Sequence, residues 1–133
     1  MDDMPSDAIP ITASRASLWF GLFGGATAWL LHFMAAYAVA EFGCVGGLSE
    51  RTHWNITLVA WMELALTAVA MVVAATASGV AYRSHRRLMG DSAADTTADA
   101  ERYTARAGLL TSSIFTFVIL FEGIAIFFYL HGC

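Results

Sequence analysis

An all-α integral membrane protein, a bundle of three transmembrane helices, is expected from the sequence. Composition is the first reason. Of 133 residues, 58% are hydrophobic and 14% charged, where soluble domains run at about 45–50% apolar and about 25% charged. Mean hydropathy is +0.61. The second reason is distribution. The apolar residues gather in three runs, 16–40, 55–82 and 107–130, each longer than the roughly 20 residues that carry a helix across a bilayer. Isolated spans must satisfy their own backbone in lipid, so each run is read as a helix.

The first run also ends in Ala38-Val39-Ala40, a small-x-small pattern of the kind cleaved after a signal peptide. The stretch before it is acidic, with Asp2, Asp3 and Asp7, and the run contains His32. Both features favour a retained span. The formal charge of −4 and the absence of lysine argue against nucleic acid as a partner. The partners expected are membrane lipids and other integral membrane subunits.

Orientation follows from arginine. With three spans, the N-terminal tail and the second connection share a side. They hold Arg15, Arg83, Arg86, Arg87, Arg102 and Arg106, against Arg51 alone on the other side. This bias predicts a cytoplasmic N-terminus and an extracytoplasmic C-terminus in a multi-pass protein of the bacterial inner membrane. The second connection, 83–106, opens on the basic cluster Arg83-Ser84-His85-Arg86-Arg87, read as a topology anchor, with binding of anionic lipid or of a partner as the alternative. It continues into an Ala-, Asp- and Thr-rich stretch read as a flexible cytoplasmic loop. The first connection, 42–53, is short and Gly-rich.

The informative residues are polar groups at lipid depth. His32, Glu63 and Glu122 fall one to each run, and intramembrane ionisable groups are costly and rarely idle. Counted at 1.5 Å per residue, all three lie roughly 10–12 Å below the outer surface. Small residues accompany each one. Gly21, Gly25, Ala28, Ala35 and Val39 share the face of His32. Ala60, Thr67, Ala70, Ala74 and Ala77 share that of Glu63. Gly108, Ser112, Val118, Ala125 and Tyr129 are assigned to that of Glu122. Small-residue faces are how helices approach closely in membranes, so one inward-facing polar cluster is expected. It reads as a hydrogen-bonded clamp, a proton or quinone site, an ion or metal site, or a contact with a partner subunit's polar groups.

A second polar layer belongs to the outer surface: Cys44, His53, His131 and Cys133. An oxidising compartment favours a Cys44–Cys133 disulfide. A zinc or copper site on the four residues and free thiols are the alternatives. Trp19, Trp29, Trp54, Trp61, Tyr82 and Tyr129 include several residues near span ends, as interfacial aromatic belts do.

The segment Gly24-Gly25-Ala26-Thr27-Ala28-Trp29-Leu30-Leu31-His32, followed by Tyr37, Glu41 and Cys44, resembles the first helix of small bacterial membrane proteins encoded beside respiratory terminal-oxidase genes. Ala26 stands where that pattern has proline, and the likeness covers about 30 residues of a predominantly helical membrane chain. It implies an accessory or assembly role in respiration, with no defined chemistry and no cofactor. Oxidase subunit IV proteins have the same span count, but their His-rich second helix is missing here. Succinate dehydrogenase anchors ligate haem through membrane histidines, and His32 is the only deep one in this chain. The expected function is therefore a non-catalytic accessory subunit or assembly factor of a respiratory membrane complex. The alternatives are a small oligomeric proton or ion carrier built on His32, Glu63 and Glu122, and an extracytoplasmic metal-handling protein.

Overall fold

The computed structural model describes residues 14–90 and 96–130. Helix α1 is Arg15–Val45. A 3-10 turn at Leu48–Glu50 leads to two short strands, β1 (Thr52–His53) and β2 (Ile56–Thr57). Helices α2 (Leu58–Met89) and α3 (Thr96–Leu130) follow. All three helices are long and apolar enough to cross a membrane, which gives the architecture of a multi-pass membrane protein.

Each helix outruns its apolar core, and the reason is local. Nothing breaks α1 until Gly46, whose N–H donates to the Phe42 carbonyl at 2.9 Å. Gly47 then takes φ +74°, the left-handed conformation with which glycine ends helices. The chain reverses at Trp54 and Asn55, both at positive φ (53° and 63°). They form a two-residue hairpin turn that pairs Thr52 with Thr57 and His53 with Ile56, as turns with two left-handed central residues do. This turn delays α2 to Leu58, whereas the apolar run begins at Asn55. The Thr57 hydroxyl caps the new helix, accepting from the Ala60 N–H at 3.2 Å.

The connection expected as a loop over 83–106 is mostly helix: α2 continues to Met89 and α3 starts at Thr96. Residues 91–95 of that connection lie outside the described residues. Arg86 and Arg87 lie in the last turn of α2, where cations favour the carbonyl end of the helix dipole. The Arg102 side chain reaches across from α3 and donates from Nε to the Leu88 carbonyl at 2.9 Å. Leu18, Leu88 and Ala105 pack together beneath it. Polar composition by itself reads as solvated loop. Alanine-rich sequence with Asp-to-Arg spacing, here Asp99 and Arg102 at 3.2 Å, favours helix in water as well.

The helices pack through small residues. A Cβ added at Gly24 would lie 2.8 Å from Ala77 Cβ, and one at Gly25 would lie 2.6 Å from Ser112 Cα. Gly21 abuts Ala81, and Gly43 abuts Val59, so α1 and α2 run antiparallel. Gly108 meets the Gly21 backbone while Trp29 meets Glu122, so α1 and α3 run parallel. Ala28, Ala70, Ala74 and Ile119 form the central apolar cluster.

The inward stripe of α3 differs from the expected one. Gly108 and Ser112 are buried, but Val118 is 38% and Tyr129 78% exposed, and Ala125 also faces outward. The buried residues are instead Ala105, Gly108, Ser112, Ile119 and Gly123. Gly123 decides this register. Its missing side chain leaves room for Thr67 of α2, which a Cβ would overlap. Glu122, one residue earlier, is thereby turned about 100° from the inner face.

Candidate functional site

The site begins with two helix positions on α2. Glu63 and Thr67 are four residues apart, hence stacked on one face, and the Thr67 hydroxyl donates to Glu63 Oε1 at 3.4 Å. His32 enters from α1. Its Nε2 lies 3.2 Å from Glu63 Oε1 and 3.0 Å from Thr67 Oγ1. His32 is 1% and Glu63 0% exposed. The contacts agree with one another when Nε2 carries the proton and shares it between the carboxylate and hydroxyl oxygens, while the hydroxyl turns to the carboxylate. His32 Nδ1 and Glu63 Oε2 are buried with no hydrogen-bond partner among the described residues. The pair lies within the spanning segments, at the level where Gly123 lets α3 close against Thr67.

Glu122 stands at the same level on α3 but makes a different contact. Its Oε2 accepts from Trp29 Nε1 at 2.9 Å, and the side chain is half-buried. Trp29 is held by rings on two sides, Phe33 of its own helix and Phe115 of α3. A third polar tie lies along the same seam, where Ser112 Oγ, fully buried, donates to the Gly21 carbonyl at 2.6 Å.

The structure thus brings His32 and Glu63 together and seats Glu122 on the tryptophan one turn before His32. Residue order places Thr67 among the small residues of the Glu63 face and Trp29 among the aromatics, with no hydrogen-bonding role for either. The spacings Glu63-x-x-x-Thr67 and Trp29-x-x-His32 carry the signal for both, since residues three or four apart share a helix face.

Of the four residues expected in an outer layer, Cys44 is half-buried in the last turns of α1. His53 is exposed on the hairpin, stacked on Trp54, and its carbonyl accepts from Trp61 Nε1 at 3.3 Å. His131 and Cys133 lie outside the described residues. Among the described residues no group of three or more His, Cys, Asp or Glu side chains is placed to hold a metal ion.

No family model matches the chain, and comparison with curated proteins and with solved structures finds no significant match. Geometry and the motif of the first helix therefore carry the functional reading.

Proposed function

We propose that this chain is a non-catalytic integral membrane subunit or assembly factor of a bacterial respiratory complex, seated in the inner membrane. One observation carries the reading. The deep ionisable side chains all bond across helix seams: His32 to Glu63 and Thr67, Glu122 to Trp29. A bundle of three helices that uses these groups to fix its own register acts as a scaffold. The respiratory setting comes from the resemblance of the first helix, whose histidine is the one engaged in the buried pair.

An orientation and a covalent tie belong to the same reading. Arg15, Arg83, Arg86, Arg87, Arg102 and Arg106 lie at the end of the bundle formed by the start of α1, the end of α2 and the start of α3. That end is cytoplasmic under the positive-inside rule. The opposite end carries Cys44, and among the described residues no cysteine is free. A Cys44–Cys133 bridge there suits an oxidising compartment.

The test is purification of the tagged full-length chain from native membranes in mild detergent, with mass spectrometry of what accompanies it. Respiratory-complex subunits in stoichiometric amounts are expected. A chain that purifies only with copies of itself overturns the reading.

A proton-carrier reading draws on two buried atoms, His32 Nδ1 and Glu63 Oε2, a ring nitrogen and a carboxylate oxygen left over on the two members of one pair. Glu63→Gln separates the two readings. A scaffold carrying this substitution keeps its complex, whereas a carrier reconstituted in vesicles loses proton flux while remaining folded.

A further inference from the structure

The two membrane glutamates are treated differently by the fold. Glu63 is sealed at 0% exposure. Glu122 spends one oxygen on Trp29 and remains partly exposed. It borders an open groove of about 610 Å³, lined by Trp29, Ile114, Phe117, Val118, Phe121 and Glu122. The outward stripe of α3 there is built of large side chains at helical spacing, with Ile114, Phe117 and Phe121 each 60% exposed or more. A carboxylate turned toward acyl chains is unfavourable, and acids at this depth face a protein interior or a partner.

We propose that the Glu122 face of α3 is a docking seam for a transmembrane helix of a different protein, one carrying an arginine, lysine or histidine at the level of Glu122. Charge complementarity selects this occupant. A second copy of the chain does not supply the cation. The chain has no lysine, and every arginine and every histidine except His32 lies outside the apolar runs 16–40, 55–82 and 107–130. His32 is itself buried against Glu63. Two copies meeting through this face would set acid against acid. The phenylalanine stripe provides the apolar contact area, and Glu122, already oriented by Trp29, provides the one polar contact that fixes depth and rotation of the incoming helix. This inference rests on the subunit reading and names the face through which the subunit engages.

The test places a photo-crosslinking amino acid at Phe121, and in a second variant at Val72, which is exposed on α2, in the full-length chain in native membranes. Adducts from position 121 to a distinct integral membrane chain are expected, mapping to a transmembrane segment with a basic residue, with little adduct from position 72. Glu122→Gln keeps an oxygen for the Trp29 N–H but removes the charge, so the bundle should retain its thermal stability while the position-121 adduct falls about tenfold or more. Adducts to lipid alone, adducts only between copies of the chain, or a yield unchanged by Glu122→Gln each overturn the proposal. A partner that co-purifies but crosslinks through position 72 removes the docking face and leaves the subunit reading standing. The absence of any co-purifying chain removes both.

Discussion

The buried pair makes an asymmetric prediction. Replacing His32 by Leu leaves Glu63 with the Thr67 hydroxyl alone, at a long 3.4 Å, inside a site with no solvent exposure. Replacing Glu63 by Leu leaves His32 Nε2 on Thr67 at 3.0 Å, so its proton keeps a partner. Leucine is close in volume to both residues, so the cavity contribution is small. The Glu63→Leu cost is then that of an interhelical membrane hydrogen bond, about 0.6–1.7 kcal/mol. The His32→Leu cost is that of a stranded buried acid, about 3–5 kcal/mol if it stays charged and about 1–3 kcal/mol once it takes a proton. The double Leu variant removes the stranded group along with its partner and should cost less than the sum of the singles. Reversible unfolding of the full chain in mixed micelles measures all four corners of the cycle. A Glu63→Leu cost equal to or above that of His32→Leu, or strict additivity, would refute the assigned hydrogen bonding.

The remaining predictions concern packing and topology. Gly123→Leu forces a side chain into Thr67 and should destabilise by about 1–3 kcal/mol or more, whereas Gly79→Ala meets nothing within 4 Å and should stabilise α2 by about 0.5–1 kcal/mol; equal effects in the same unfolding assay would mean that the α2–α3 register is misassigned. A periplasm-dependent reporter fused after Cys133 should be active and a cytoplasm-dependent one silent, following the arginine bias; the reverse pattern inverts the topology. Intact-mass measurement before and after reduction should show the gain of two hydrogens expected for a Cys44–Cys133 bridge, and full alkylation of both thiols without reductant would exclude it.

Much of the architecture is legible from residue order. The apolar runs mark the three spans because the cost of polar groups in lipid acts on each segment separately. On α1 and α2 the inner faces are legible too. Gly21, Gly25, Ala28 and His32 are buried on one helix, where past His32 the buried position is Ala36 and not the expected Ala35 and Val39, and Ala60, Glu63, Thr67, Ala70, Ala74 and Ala77 are buried on the other, because small residues recur there at helical spacing.

Residue order leaves open what depends on neighbours distant in the chain. The span of α3 carries phenylalanines on more than one side, at Phe115, Phe117, Phe121, Phe127 and Phe128, so side-chain size in the sequence does not tell its inner face from its outer one. The fit of Gly123 against Thr67 settles it, and that fit moves Glu122 from the centre of the bundle to its flank, onto Trp29. The hairpin at Trp54 and Asn55 and the helical continuation through Arg83–Met89 are hidden for a related reason. A left-handed tryptophan runs against its own backbone preference, and a polar helix end docked by Arg102 onto Leu88 has the composition of a loop. The number of helices and the polar residues among them are readable segment by segment, since hydrophobicity and spacing belong to each segment alone. Which of those residues meet is a matter of packing. A hydrogen bond between His32 and Glu63, or between Trp29 and Glu122, depends on the rotation of one helix against another, and that rotation is set by close contact of side chains far apart in the chain.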